Sequence, residues 1–569
     1  MPRFQLIKTA YALLWSTLLF APSMVAQSSY DIVILKPQTN HTASAVRTIN
    51  VLGQVAGYSS GVNTSAQPGY WHTADANGDF QRPPNTPTNA TEATAINSGG
   101  LITAQTLPLS SNAWYYSDYL KTWQPLKGID PRGKTAVLMV NENHYMIGWC
   151  SLYDGTLNPK KYPVLWANPQ IAQVLPLPNN STSGHATDIN NNQMAVGSAT
   201  GTNGHEHAML WDAYNLTPGV LLPDGSAETS AALAVNQNLA VGYRVSLTGE
   251  IQPIRWDILT RTNSILASLS GVTDLMAQGV NSNGTSVGSG YNLDPSHPRT
   301  VAIRWQATNS QSLETLLAAG NGWQLLEATS INNAGEIAGN GKLFGLTRGF
   351  KLLPHNPDNL RPNICLVKDA IQSGMRQLQW SIDDPDNGIN TVIAVNPNNQ
   401  VVKVWNTPPY ALAATTNQVL QLFAFDNRGA QTTATYPPAS PSLRVQTNSA
   451  GAVILGLSQT NNVTIQATLN GNTWYDLDII PAPTHTLSGG IRFLAFRLAD
   501  QPFTPPPPSI LAERPVVPGQ LELLLNTTSC AIMTSTNLTT WTTESKATNT
   551  SYTTKPRSGE TARFWKAVP

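Results

Sequence analysis

Hydrophobic and polar positions change over in short bursts along most of this chain, and the bursts return in a fixed order. The runs "PVLW", "HAMLW", "PIRW" and "VAIRW" end on Trp166, Trp211, Trp256 and Trp305. Short alternating or apolar runs bounded by turn residues predict β-strands. Between them recur "ATDINNNQMAVG", "AQGVNSNGTSVG" and "ATSINNAGEIAG", each an aliphatic residue, an asparagine, a turn and a glycine. Aligning that asparagine gives Asn50, Asn97, Asn141, Asn190, Asn236, Asn281 and Asn332, spaced 44 to 51 residues apart. That period belongs to a four-stranded propeller blade, so an all-β, seven-bladed β-propeller is predicted over residues 30–355.

The motif has a physical reading. A tight turn needs a residue that accepts positive φ, which Gly and Asn do at least cost. Gly53, Gly100, Gly284 and Gly335 stand three after the asparagine; where that glycine is missing, Asn143, Asn192 and Asn238 are expected to take its conformation. The second glycine (Gly57, Gly148, Gly197, Gly242, Gly288 and Gly339, with Ala104 in the second copy) falls in the returning strand, where a neighbouring backbone can approach. The asparagines therefore read as turn residues rather than ligands. Each repeat also carries a bulky aromatic: Trp71, Trp114, Trp166, Trp211, Trp256, Trp305 and Phe350. Strict recurrence inside apolar runs predicts rings that fill the space between sheets, not rings that stack on sugars. An "LxP" segment follows the aromatics and appears once more before the first asparagine, in "IVILKP". The surplus copy predicts that the first or last blade is composite, built from both ends of the repeat region.

The order "HAMLW … VLLPDG … ALAVNQNLAVG" resembles the bacterial extracellular HAF repeat, with His207 to Trp211 as the best-preserved copy. The resemblance covers about residues 30–355 and implies an exported, propeller-like domain, with no catalytic assignment to carry over.

The period stops near residue 355. From 361 to 437 the runs "LQWSIDD", "NTVIAVN", "QVVKVW", "VLQLFAFDNRG" and "TTATY" predict one β-sandwich. Trp380 and "FAFDNRGAQTTATY" are similar to bacterial immunoglobulin-like and cadherin-like modules. Asp383, Asp384, Asp386 and Asp426 offer oxygens that suit calcium, although "DDPDNG" is equally a plain turn sequence. "PPASPS" makes a linker, and two small β-modules follow at 445–500 and 520–569. They align with each other, Ile465 on Ile532, Trp474 on Trp541 and Phe493 on Phe564, and resemble C-terminal modules of exported proteins from verrucomicrobia-like bacteria. The Pro-rich stretch 501–519 reads as an extended spacer.

Composition narrows the function classes. Lys plus Arg and Asp plus Glu are both 33, so no net field favours nucleic acid. Residues 1–26 read as a signal peptide: Arg3 and Lys8, then an apolar run, then "SMVAQ" with a cut after Ala26. No second long apolar segment follows, so no membrane-spanning helix is expected after cleavage. Cys150, Cys365 and Cys530 lie far apart and make neither a disulfide framework nor a zinc spacing. Sequons at Asn40, Asn89, Asn215 and Asn537 are what Asn- and Thr-rich composition produces.

Chemistry-bearing residues are sparse. His205, Glu206 and His207 resemble a metal cluster, since i and i+2 share a strand face, but His207 belongs to the repeat and spacing supplies no third ligand. Asp188, Asp212 and Asp257 are scattered carboxylates whose convergence spacing cannot show. No HExxH occurs, and the strings that match a P-loop (Gly128 to Thr135) or GxSxG (Gly57 to Gly61, Gly284 to Gly288) do not stand in the βαβ context those motifs need. The reading assigns no catalytic, cofactor or metal residue. It favours an exported binding or adhesion protein with a propeller recognition face for an extracellular glycan or protein. A carbohydrate-active hydrolase or lyase, and a structural envelope component, are the alternatives.

Overall fold

The computed structural model describes residues 29–436, apart from 63, 73–78, 107–111, 154–158, 226, 295–298, 307–308, 319–321 and 416–417; from residue 437 it describes backbone strands only. The expected signal peptide (1–26) and the linker 437–442 lie outside the described residues. The described residues divide into two compact units, the second beginning at Pro357.

In the first unit the alternating runs become seven four-stranded antiparallel sheets among the described residues. Sheets one to six span 43–81, 92–125, 135–174, 181–221, 229–265 and 272–312; sheet seven spans 323–354 and takes its outer strand from the other end of the unit. That strand, β1 (Tyr30–Leu35), pairs antiparallel with Leu346–Pro354, from Tyr30 opposite Pro354 to Leu35 opposite Gly349. The composite blade expected from the surplus "LxP" segment is therefore the last one. Sheet one then packs on sheet seven, with Leu35, Val46, Trp71 and Ala338 in one core. The sheets close into a β-propeller with no open edge at the join.

A repeated row ties motif to packing. Within each sheet the aliphatic residue before the asparagine faces a second-strand residue, which faces the aromatic: Ile189, Ala195 and Trp211 in sheet four, Val235, Ala240 and Trp256 in sheet five. Trp71, Trp166, Trp211, Trp256 and Trp305 are fully buried in this row. Each indole also donates to the loop that leaves the preceding sheet: Trp71 to Lys36 O (2.8 Å), Trp166 to Lys127 O (2.8 Å), Trp211 to Pro176 O (3.0 Å), Trp256 to Pro223 O (2.6 Å) and Trp305 to Ala267 O (2.8 Å). The "LxP" segment is the acceptor of these bonds. Two expected aromatics stand off the row. In sheet two Tyr116 faces Ile102, while Trp114 lies two residues earlier, opposite Ala104. In sheet seven Leu352 takes the place and Phe350 stands over Gly339, where an added Cβ would be 2.4 Å from the ring. Both were assigned by type, and strand register overrides type.

The first strand of every sheet carries a β-bulge three residues before the asparagine, as between Ala186 and Asp188 or between Ala232 and Ala234. The bulge turns a carbonyl onto the second strand, and the repeated glycine makes room for it. A Cβ on Gly197 would lie 2.1 Å from His185 O, and one on Gly242 1.9 Å from Ala231 O. The turns need one correction. Where the first glycine is absent, the left-handed residue remains third after the asparagine, as His144 (φ 68°) and Gln193 (φ 62°), or moves to Gln237 (φ 34°). Asn143, Asn192 and Asn238 do not take it, because the turn geometry is set by the first asparagine's own side chain.

In the second unit, residues 363–436 form a sandwich of a three-stranded and a four-stranded antiparallel sheet. Leu378, Trp380, Val392, Trp405, Tyr410 and Leu422 share its core. Beyond it, 443–498 and 510–568 each contain two three-stranded sheets with the same strand order, which supports the internal alignment. Ile510–Val517 is the first strand of the second copy, paired with Gln520–Leu525. The spacer expected over 501–519 thus loses those residues to a strand, as the "ILAERPVV" alternation permits. Cys150 and Cys365 are buried and lie in different units.

Candidate functional site

The asparagines do more than turn the chain. Asn190 Oδ1 accepts the N–H groups of Asn192 (3.0 Å) and Met194 (2.9 Å), which fixes its own turn. Its Nδ2 then donates to Gln237 O of the next sheet at 2.9 Å. The same donation runs from Asn97 to Asn141 O (3.1 Å), Asn141 to Asn190 O (2.9 Å), Asn236 to Val280 O (3.4 Å), Asn281 to Asn332 O (3.3 Å) and Asn332 to Asn50 O (3.1 Å). Asn50 departs from the pattern and donates to Gln54 Oε1 at 2.7 Å. The result is a collar of amides that staples six of the seven inner strands to the next. Sequence reasoning found the turn half of this role and missed the bridging half, because a donor that leaves its own repeat has no local signature.

Inside the collar lies a cavity of about 190 Å³ whose wall takes residues from the inner strands of all seven sheets. The aliphatic residue before each asparagine lines it: Ile49, Ile96, Val140, Ile189, Val235, Val280 and Ile331. Polar side chains are as numerous: seven asparagines of the turns, with Thr48, Gln278, Thr329 and Ser330. Two carboxylates, Asp188 and Glu142, belong to the wall, and no Lys, Arg or His does. Asp188 is 8 % exposed, and its two oxygens accept Ile189 N–H (2.8 Å) and Val235 N–H (2.7 Å). Burial pushes its carboxyl up to about 7 against those two bonds. Glu142 lies one past Asn141 and accepts from Ser98 N–H and Oγ–H at 2.8 and 2.5 Å.

Asp212 and Asp257 do not join Asp188. Each caps the hairpin between the third and fourth strands of its sheet. Asp212 accepts from Tyr214 N–H and Asn215 N–H (3.1 and 3.0 Å), and Asp257 from Leu259 N–H and Thr260 N–H (3.0 and 2.9 Å). These backbone bonds hold both carboxyls below their usual range, Asn215 leading for Asp212 and Thr260 for Asp257. Antiparallel strands put those hairpins at the same end of the propeller as the asparagine turns. They present Tyr214 and Leu259, 73 % and 70 % exposed, and the matching hairpin of sheet two presents Tyr119.

The candidate metal trio disperses. His207 Nδ1 pairs with Asp224 Oδ2 (3.0 Å), Glu206 accepts from Ser198 Oγ (2.5 Å), and His205 lies 4.0 Å from Glu228. Asp224 also accepts from Ser230 Oγ at 2.5 Å, and that oxygen accepts Ala208 N–H of sheet four at 3.0 Å. The repeat's histidine is thus a seam residue: it holds the Asp of "LLPDG" against the first strand of sheet five. His185, near Ser198 and Glu206, is held below its ordinary range by burial, with Glu206 opposing.

In the sandwich, Asp384, Asp386 and Asp426 bring carboxylate oxygens within 4.8 Å of one another. Asp383 is not in that group; it ends a strand opposite Asn363. Asp426 Oδ1 accepts the N–H groups of Arg428 and Ala430, and Asn387 Nδ2 reaches Asp426, Asp386 and Asn359. Burial, then hydrogen bonding to Asp386, pushes Asp384 up to about 8, and burial pushes Asp426 to about 6. Ionised, the three are hard oxygen donors of the kind calcium takes; protonated, they share hydrogen bonds.

No family model and no curated protein matches the chain. Among the described residues no helix is long and apolar enough to cross a membrane. Solved structures overlap at low identity. A puromycin hydrolase mutant matches over 74 % of this chain at 10 % identity and a TM-score of 0.36, and the match spans 61 % of the hydrolase. An ulvan lyase matches over 70 % of this chain and 95 % of its own, at 8 % identity and a TM-score of 0.22. The WD40 domain of SCAP from fission yeast matches over 75 % and 92 %, at 8 % identity and a TM-score of 0.22.

Proposed function

We propose that this chain is an exported, non-catalytic binding or adhesion protein whose propeller supplies the recognition face for an extracellular glycan or protein. The observation that carries the reading is the end of the propeller bearing the asparagine turns. There Tyr119, Tyr214 and Leu259 project from short hairpins, the last two locked by Asp212 and Asp257. Rigid, exposed aromatic and aliphatic groups give contact area at little entropic cost. Several acidic and histidine side chains outside the axial cavity are engaged in structural contacts: His207 with Asp224, Glu206 with Ser198, Asp212 and Asp257 in their own turns. The test is a glycan array and a panel of extracellular-matrix proteins probed with the full chain, beside chromogenic glycosides. Saturable retention that weakens in Tyr119→Ala and Tyr214→Ala supports the reading. Turnover of a glycoside overturns it.

A further inference from the structure

The axial cavity carries a charge that the fold does not require. The position two before the asparagine is Thr48, Ala95, Met139, Ala234, Gly279 or Ser330 in six sheets, and Asp188 in the fourth. Six uncharged residues hold six equivalent strands in place, so an ionisable group is not demanded by the seam. A carboxylate buried without a counter-charge is costly, and the wall around Asp188 offers none. Each Asp188 oxygen accepts one N–H, which fixes its direction and leaves a lone pair for another donor.

We propose that this cavity binds a small organic ammonium ion, with Asp188 as the counter-charge and the aliphatic collar around its alkyl body. A calcium ion takes six or more oxygens, whereas the collar asparagines in this wall spend their amides on their own turns and seams, and the tier beside Asp188 is a ring of Ile and Val with a few hydroxyls. The volume of about 190 Å³ matches roughly six waters at about 30 Å³ each, the size of a butyl- or pentylammonium. Glu142, in the wall beside the asparagine turns, adds attraction for a cation. Asp188 and Glu142 are the titratable groups facing the cavity. Because burial pushes Asp188 up to about 7, Asp188 is mostly ionised at pH 8 and mostly protonated at pH 6.

Calorimetry on the full chain at pH 8 with n-butylammonium chloride tests this, with n-butanol, calcium chloride and potassium chloride as comparison ligands. One saturable site is expected for butylammonium, weaker at pH 6, with no binding of n-butanol. Asp188→Asn should weaken it about tenfold or more, the worth of a charge-assisted bond. Ser330→Leu fills the cavity without touching Asp188 and should abolish binding even if Asp188→Asn fails to fold. Absence of saturable binding overturns the proposal, as does full binding by a folded Asp188→Asn protein or occupation by calcium or potassium in place of the amine. The inference does not rest on the glycan or protein reading, which can fail on the array while this site still fills.

Discussion

Asn332 donates its side-chain amide to the backbone carbonyl of Asn50 at 3.1 Å, across 282 residues of chain. The bond joins the last inner strand to the first, and it has company. Asn340 accepts Val46 N–H (2.7 Å) and donates to Val46 O (3.1 Å), Arg348 reaches Thr42 O (2.6 Å), and Gly349 N–H meets Ser44 Oγ (3.1 Å). This seam must be made between segments distant in sequence, so its loop-closure entropy is the largest of the ring. Dense polar pairing offsets that cost.

Asn332→Ala removes the closing donor and the acceptor for Ala334 N–H and Glu336 N–H together. It leaves Asn50 O buried without that donor, so a loss of about 2–3 kcal/mol is expected. Urea denaturation of the full chain measures it. Asn281→Ala, at an interior seam, should cost less, since neighbouring sheets there remain joined through the chain. Equal costs would show that the join between the ends has no special role.

Trp211→Phe tests the second tie. The indole N–H serves Pro176 O from inside a packed row. Phenylalanine keeps most of the ring but removes this donor, leaving Pro176 O with Gly219 N–H alone, and opens a small void, at about 1–2 kcal/mol. Thermal unfolding reports the change. A neutral result would mean that water replaces the indole without loss.

Much of this architecture is written locally. The 44–51-residue spacing, the strand runs and the surplus "LxP" segment are properties of neighbouring residues, and they lead to closed sheets with a composite last blade. What escaped notice depends on partners outside the repeat. Asn190's bond to Gln237, His207's to Asp224 and the indole bonds to preceding loops all cross seams, and no spacing rule reports a seam. Trp114 and Phe350 are buried as expected but stand off the row for a related reason: strand register decides the row, and register is a tertiary quantity. Asp188 was within reach, since stacking the repeats on their asparagines shows one carboxylate in a column of neutral side chains.

Gln193 occupies a left-handed turn position, φ 62°, that Gly284 and Gly335 fill in sister repeats. A side chain there strains the backbone by about 1 kcal/mol or more. Gln193→Gly should therefore stabilise the propeller by about 0.5–1 kcal/mol, after allowing for glycine's greater freedom when unfolded. The same change at Met194, which lies in a strand, should destabilise. A loss of stability in Gln193→Gly would mean that its side chain matters more than its backbone.

The sandwich should lose stability as pH rises. Asp384 and Asp426 have folded values pushed up to about 8 and about 6, from a usual value of 3.8. A raised carboxyl binds more protons folded than unfolded, so its contribution is complete below about 4 and fades as pH climbs through 6 to 8. The groups facing the trio sharpen this: Asn387 and Asn359 are neutral, and Asp386 is a third carboxylate. The unfolding midpoint of the second unit, followed by the fluorescence of buried Trp380 and Trp405, should therefore fall steadily between pH 5 and pH 8. Asp426→Asn retains an oxygen for Arg428 N–H and Ala430 N–H while removing one charge. It should flatten the fall and raise the midpoint at pH 8. A midpoint that rises across the same interval would show that the three carboxylates are ionised together in the folded protein and held by something stronger than shared protons.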